Sequence, residues 1–144
     1  MLRNDRRLRL SQRGKSPYPA TSVSTSMTKG QIESSITESL TRFEREFLGK
    51  GPKFARSFVL DDLVVVRLHG MMSQGEKKLC LERGGIELFK QMRSRLVEGS
   101  GAEIKKIVSE ACGREVVTMH TDISSRTGER VFVFALDEPV ETED

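Results

Sequence analysis

Two β-rich runs separated by only two residues constrain this chain most. Residues 54–69 read FARSFVLDDLVVVRLH, with Asp61-Asp62 between the runs. That spacing predicts a hairpin, since a two-residue connection can only join antiparallel neighbours. A second hairpin is predicted over 115–136, with SSRTGE as its loop and Gly128 near the left-handed position. A lone hairpin is marginal in water, so the two are expected to merge into one four-stranded sheet. The rest of the chain must then cover at least one face of that sheet.

The covering elements are helices. Thr28 and Gln31 have capping-box spacing, and Ile32, Ile36, Leu40, Phe43 and Phe47 recur at steps of four and three. This is one apolar stripe, stopped by Gly49, Gly51 and Pro52. Ser73 and Glu76 repeat the capping-box spacing and start a short helix through Leu79 and Cys80, ended or bent by Gly84-Gly85. A longer helix follows on Ile86, Phe89, Met92, Leu96, Ile104, Ile107, Val108 and Ala111, with Gly113 as its cap. Gly99-Ser100-Gly101 interrupts it, and each glycine costs about 1 kcal/mol in a helix interior. The apolar period nearly keeps phase across the interruption, which favours one long helix with room for a bend. The order is α-ββ-α-α-ββ. The expected fold is an α+β two-layer sandwich: a four-stranded, mostly antiparallel sheet with the helices on one face. Strand order is not legible.

Strand parity assigns the faces. Phe54, Phe58 and Leu60 fall together, with Arg56 as the exception, and Val64, Val66 and Leu68 fall together on the next strand. Val117, Met119 and Ile123 form one face of the third strand; Val116, Thr118, His120 and Asp122 form the other. Phe132 and Phe134 are placed in the core with Phe58, Val66 and Met119. VFVFAL is apolar on both sides, so Val131, Val133 and Ala135 need cover on the face without helices. A second copy of the chain is the simplest cover, which implies a homodimer.

The formal net charge of +3 comes from one end. Arg3, Arg6, Arg7, Arg9, Arg13 and Lys15 stand against Asp5 alone, and the remainder has a slight acidic excess. That argues against nucleic acid as the partner of the folded part. Residues 1–27 are predicted to be a disordered basic tail, because residues 11–27 are rich in Ser, Thr and Pro and poor in bulky apolar side chains. Three accounts of the tail stand: a transit-like or membrane-surface peptide, a nucleic-acid arm, or a segment preceding translation from Met27, the last being favoured. Residues 28–137 form a single domain, and 138–144 an acidic end expected to fray. No apolar run approaches the roughly 20 residues that cross a bilayer as a helix.

His69 and His120 are the only histidines. By parity both lie with Arg67 and Asp122 on the face away from the helices. Arg67, His69, His120 and Asp122 could bind an anion or metal there, or form a buried interface network. The plainer account is the polar, solvated face that a two-layer sheet needs anyway. Gly49-Lys50-Gly51 follows a helix instead of preceding one, the reverse of a phosphate-binding loop. Cys80 and Cys112 have no adjacent base and are expected to be inert. No nucleophile–base pair presents itself, which favours a protein that is not an enzyme, with no catalytic residue, no metal site and no cofactor.

Gly49-Lys50-Gly51-Pro52, the Asp61-Asp62 hairpin and His120-Thr121-Asp122-Ile123, taken with GKGPKFARSFVLDDLVVVRLHG and HTDISSRTGERVFVFAL around them, resemble a small bacterial family. It was long described as a domain of unknown function and is now named the Na+-translocating, membrane-potential-generating MpsC family. The similarity runs from about Met27 to Leu136. The resemblance implies a cytoplasmic bacterial protein linked to membrane potential, sodium or inorganic-carbon uptake. It carries over no catalytic residues. The chain departs from the family in its basic N-terminal extension and its glycine-interrupted third helix. An ion cannot be carried through a bilayer by a chain with no spanning segment. The expected role is therefore an accessory or regulator of an integral-membrane transport partner, at the inner face of the membrane, working through protein–protein contacts. The alternative is a small-ligand-binding or enzymatic domain using Arg67, His69, His120 and Asp122.

Overall fold

The computed structural model describes residues 27–144. The tail prediction for residues 1–27 lies outside the described residues except at Met27, which packs against the core.

Helix α1 (Lys29–Leu48) opens on the predicted capping box: Gln31 N donates to Thr28 Oγ1 at 3.2 Å and Thr28 N donates to Gln31 Oε1 at 2.9 Å. Two helix-end donors are thereby satisfied, and the chain can turn into the helix without burying orphan amides. Ile32, Ile36, Leu40 and Phe43 are buried, while Phe47 is half-exposed and stacks on Phe43. Strands β1 (Phe54–Leu60) and β2 (Leu63–His69) form the first hairpin. Helix α2 (Gln74–Cys80) has the second capping box, on Ser73 and Glu76. Helix α3 (Gly85–Cys112) follows after a tight turn. Gly85 is required there, because a Cβ would stand 1.7 Å from the Leu79 carbonyl oxygen. Strands β3 (Val116–Ile123) and β4 (Arg130–Leu136) form the second hairpin, and Gly128 takes φ +75° in its loop.

The hairpins merge as expected into one antiparallel sheet of order β1-β2-β4-β3. The two most apolar strands, β2 and β4, are thus central. Val64, Val66, Leu68, Phe132, Phe134 and Leu136 point inward, against Ile36, Leu40, Phe89, Ile104 and Val108 of α1 and α3. The α+β sandwich with helices on one face is the fold observed.

Three expectations are corrected. Periodicity predicts Phe54, Phe58 and Leu60 on the core face, but Ser57 and Val59 hold that position and the other three face outward with Arg56. The register decides it: Val59 pairs with buried Val64 and Phe58 with Val65. Helix α1 completes the arrangement, with Thr37 and Ser57 hydroxyls hydrogen-bonded at 2.7 Å and Val59 N donating to Glu33 Oε2 at 2.8 Å. On β3, Val116 is buried and Val117 is 59% exposed, the reverse of the parity reading. A bulge between Val116 and Thr118 inserts one residue and flips what precedes it. In α3, Ile86 and Met92 are exposed and Arg93 takes the inward position. The helix runs unbroken through Gly99-Ser100-Gly101, where Ser100 Oγ donates back to Leu96 O at 2.9 Å.

The acidic end has no regular secondary structure. It is nevertheless tied to the fold: Val140 N donates to Asp61 O, Glu143 N to Met27 O and Arg114 Nε to Pro139 O.

Candidate functional site

Among the described residues, no helix covers the outer face of the sheet. Its side chains fall into rows set by the ladder, written from β1 through β2 and β4 to β3. One row is Arg56, Arg67, Val131, Asp122; the next is Phe58, Val65, Val133, His120; the third is Leu60, Leu63, Ala135, Thr118. Phe58, Leu63, Val65, Val131, Val133 and Ala135 are only partly exposed, shielded by one another, and Leu60 is 50% exposed. The face is therefore an apolar band with charged residues along one end.

The four sequence-predicted residues all lie on or beside this face, but they do not converge. Arg67 Nη2 and Nε donate to Glu129 Oε2 at 2.6 and 2.9 Å, and His69 Nε2 lies 3.3 Å from the same oxygen. His69 also stacks on Phe54, ring centroids 4.3 Å apart. Asp122 is engaged elsewhere: its Oδ1 accepts from Lys90 Nζ of α3 and from Ile123 N. The Lys90 ammonium beside it holds the Asp122 carboxyl below its ordinary value. His120 stands in the Val133 row, apart from both groups. Glu129 and Lys90 complete these pairs, and neither is a strand residue that parity could have flagged. Among the described residues, no group of three or more His, Cys, Asp or Glu side chains comes together as a metal would need.

A second polar cluster lies inside the fold. Arg93, Arg130 and Glu44 are 5%, 3% and 4% exposed. Arg93 is bidentate to Glu76, and Arg130 Nη1 donates to Thr121 Oγ1 at 3.0 Å. Burial pushes the Glu44 carboxyl above its ordinary value, against the pull of Arg130 and Arg93. Burial likewise lowers Arg130, which Glu44 partly offsets. The cavity they share is about 10 Å³, room for about one water molecule and no substrate. The sequence signal for it was thin, because a charged residue on a helix reads first as a solvated one.

Fold and face together define a small α+β protein with one helix-covered sheet face and one largely apolar face that no other element of the described residues covers. Residues 28–138 match the family described as the Na+-translocating membrane potential-generating system, MpsC, and the chain belongs to that family. It is 42% identical over 108 residues, 75% of this chain and 87% of the relative, to YbcI of Bacillus subtilis (strain 168), an uncharacterized protein. No solved structure matches.

Proposed function

We propose that this chain is a cytoplasmic accessory or regulatory protein of a bacterial membrane-potential-generating system, linked to sodium or inorganic-carbon uptake and acting at the inner face of the membrane. It works through protein–protein contacts, with an integral-membrane transport partner and with itself. The observation that carries this reading is the outer band of Phe58, Val65 and Val133 flanked by Leu60, Leu63 and Ala135. An apolar band of this extent on a sheet is a contact surface. Family membership supplies the link to membrane potential. No helix of the described residues is long and apolar enough to cross a membrane, so the ion path is assigned to the partner.

The alternative, a ligand-binding or enzymatic domain, rests on Arg67 and His69 meeting at Glu129. Asp122 turns to Lys90 and His120 stands apart in the Val133 row, which favours the contact surface.

The test is complementation of a deletion strain, read with a potential-sensitive dye. Val133→Asp, checked for folding by circular dichroism, fails to restore the potential. Leu88→Asp, on the exposed side of α3, restores it. Full activity of a folded Val133→Asp protein with loss in Arg67→Ala supports the alternative.

A further inference from the structure

We infer that the partner covering the outer sheet face is a second copy of this chain, packed sheet to sheet about a two-fold axis that runs along the strands between β2 and β4. This rests on the reading of that face as a contact surface.

The rows are asymmetric in a way that only one axis resolves. A two-fold axis along the strands reverses each row, placing β1 over the partner's β3 and β2 over its β4. Arg56 then faces the second copy's Asp122, Phe58 faces its His120, and Val65 faces its Val133. Leu60 and Leu63 meet Thr118 and Ala135 of the other copy. Cation meets anion at both edges, valines meet at the centre, and the bulky β1 side chains lie over the smaller ones of β3. An axis across the strands, along the Val65 row, does the opposite. It sets Arg56 and Arg67 over Leu60 and Leu63 of the other copy, burying two cations against apolar groups.

The individual residues suit the first arrangement. Among the described residues Arg56 makes no ion pair; its guanidinium lies 5.0 Å over the Phe58 ring. Asp122 uses Oδ1 for Lys90 and Ile123 N, and its side chain is 79% exposed, so Oδ2 is free to accept. Arg67, which would face Val131, already has Glu129 as its counter-charge. Aligned sheets cross at about 30° and splay at the corners, a gap that a long side chain such as arginine can span. The chain's own first 26 residues are a poorer cover, because their arginines would meet Arg56 and Arg67.

Sedimentation equilibrium and oxidative cross-linking of the full chain test this. The wild-type chain is a dimer. Arg56→Glu weakens it by about tenfold, and Arg56→Glu combined with Asp122→Lys restores most of the loss, the signature of a direct pair. Because Asp122→Lys also disturbs Lys90, a second measurement is independent of charge. Val65→Cys and Val133→Cys proteins are oxidised alone and mixed, against wild type as the control for Cys80 and Cys112. Only the mixture yields a new cross-linked dimer. A dimer that cross-links in Val65→Cys alone overturns this axis in favour of the one across the strands. A monomeric wild-type chain overturns the inference outright; the contact-surface reading then stands or falls on complementation by Val133→Asp.

Discussion

Glu76 and Arg93 are joined by two hydrogen bonds of 2.8 Å, Nε to Oε2 and Nη2 to Oε1. The same Glu76 oxygen accepts from Ser73 N at 2.9 Å, closing the α2 cap, and Arg93 Nη2 also donates to the Met71 carbonyl. One carboxylate therefore caps a helix and neutralises a guanidinium that is 5% exposed inside the fold. Two short stretches of chain, the end of the β2 connection and the middle of α3, are held together by it.

Removing one partner of a buried pair leaves the other uncompensated, at about 3–5 kcal/mol. Glu76→Ala should lose that much in urea unfolding. A loss of under about 1 kcal/mol, the size of a surface pair, would show that Arg93 reaches water.

Glu76 and Glu44 predict pH dependences of opposite sign. Burial raises Glu76, but the Arg93 and Ser73 bonds outweigh it and its carboxyl titrates below the ordinary 4.5. Its contribution is therefore present above that value and is lost as pH falls through the folded one. Glu44 titrates above its ordinary value, so its contribution is full below 4.5 and is lost as pH rises through the folded value. Glu44→Gln should then gain stability relative to wild type as the solution goes from acid to neutral, and Glu76→Gln should fall behind wild type as pH rises through the acid range up to 4.5. Unfolding midpoints measured across that range check both. A Glu44→Gln protein that is hurt most at neutral pH would mean that the arginines, and not burial, set its ionisation.

The two sheet faces separate stability from association. Phe134 is fully buried against Val64 and Met119, so Phe134→Ala costs about 3–5 kcal/mol. Phe58 is on the outer face, and Phe58→Ala is expected to cost the monomer much less while weakening the dimer. Comparable losses in denaturant, with association unchanged in Phe58→Ala, would reverse the assignment of β1.

Much of this was legible from residues. Both capping boxes, the Asp61-Asp62 turn and the doubly apolar β4 are local signals, and they hold because local chemistry alone sets them. The inner face of β1 was not legible. An edge strand with Phe54, Phe58, Val59 and Leu60 is apolar on both sides, and the tie-breaker was Arg56, which shares the outer face with the phenylalanines. The bulge at Val117 leaves no mark in an apolar Val-Val pair. Arg93 was missed because its partner Glu76 lies 17 residues away, and Glu129 because it lies in a loop that only the ladder brings beside Arg67 and His69. Arg67, His69, His120 and Asp122 lie on or beside the outer face, as strand parity places them; the partners of Arg67, His69 and Asp122 are not legible, since pairing is a property of three dimensions.

Cover of the outer sheet face by a second copy would double the mass of the chain in solution. Its most direct test is the mass of the wild-type chain by light scattering at high micromolar concentration, beside Val133→Asp. The wild-type chain is expected at twice the 16.2 kDa chain mass and a folded Val133→Asp protein at a single chain mass. A wild-type chain that stays at one chain mass, or a folded Val133→Asp protein that remains dimeric, contradicts it.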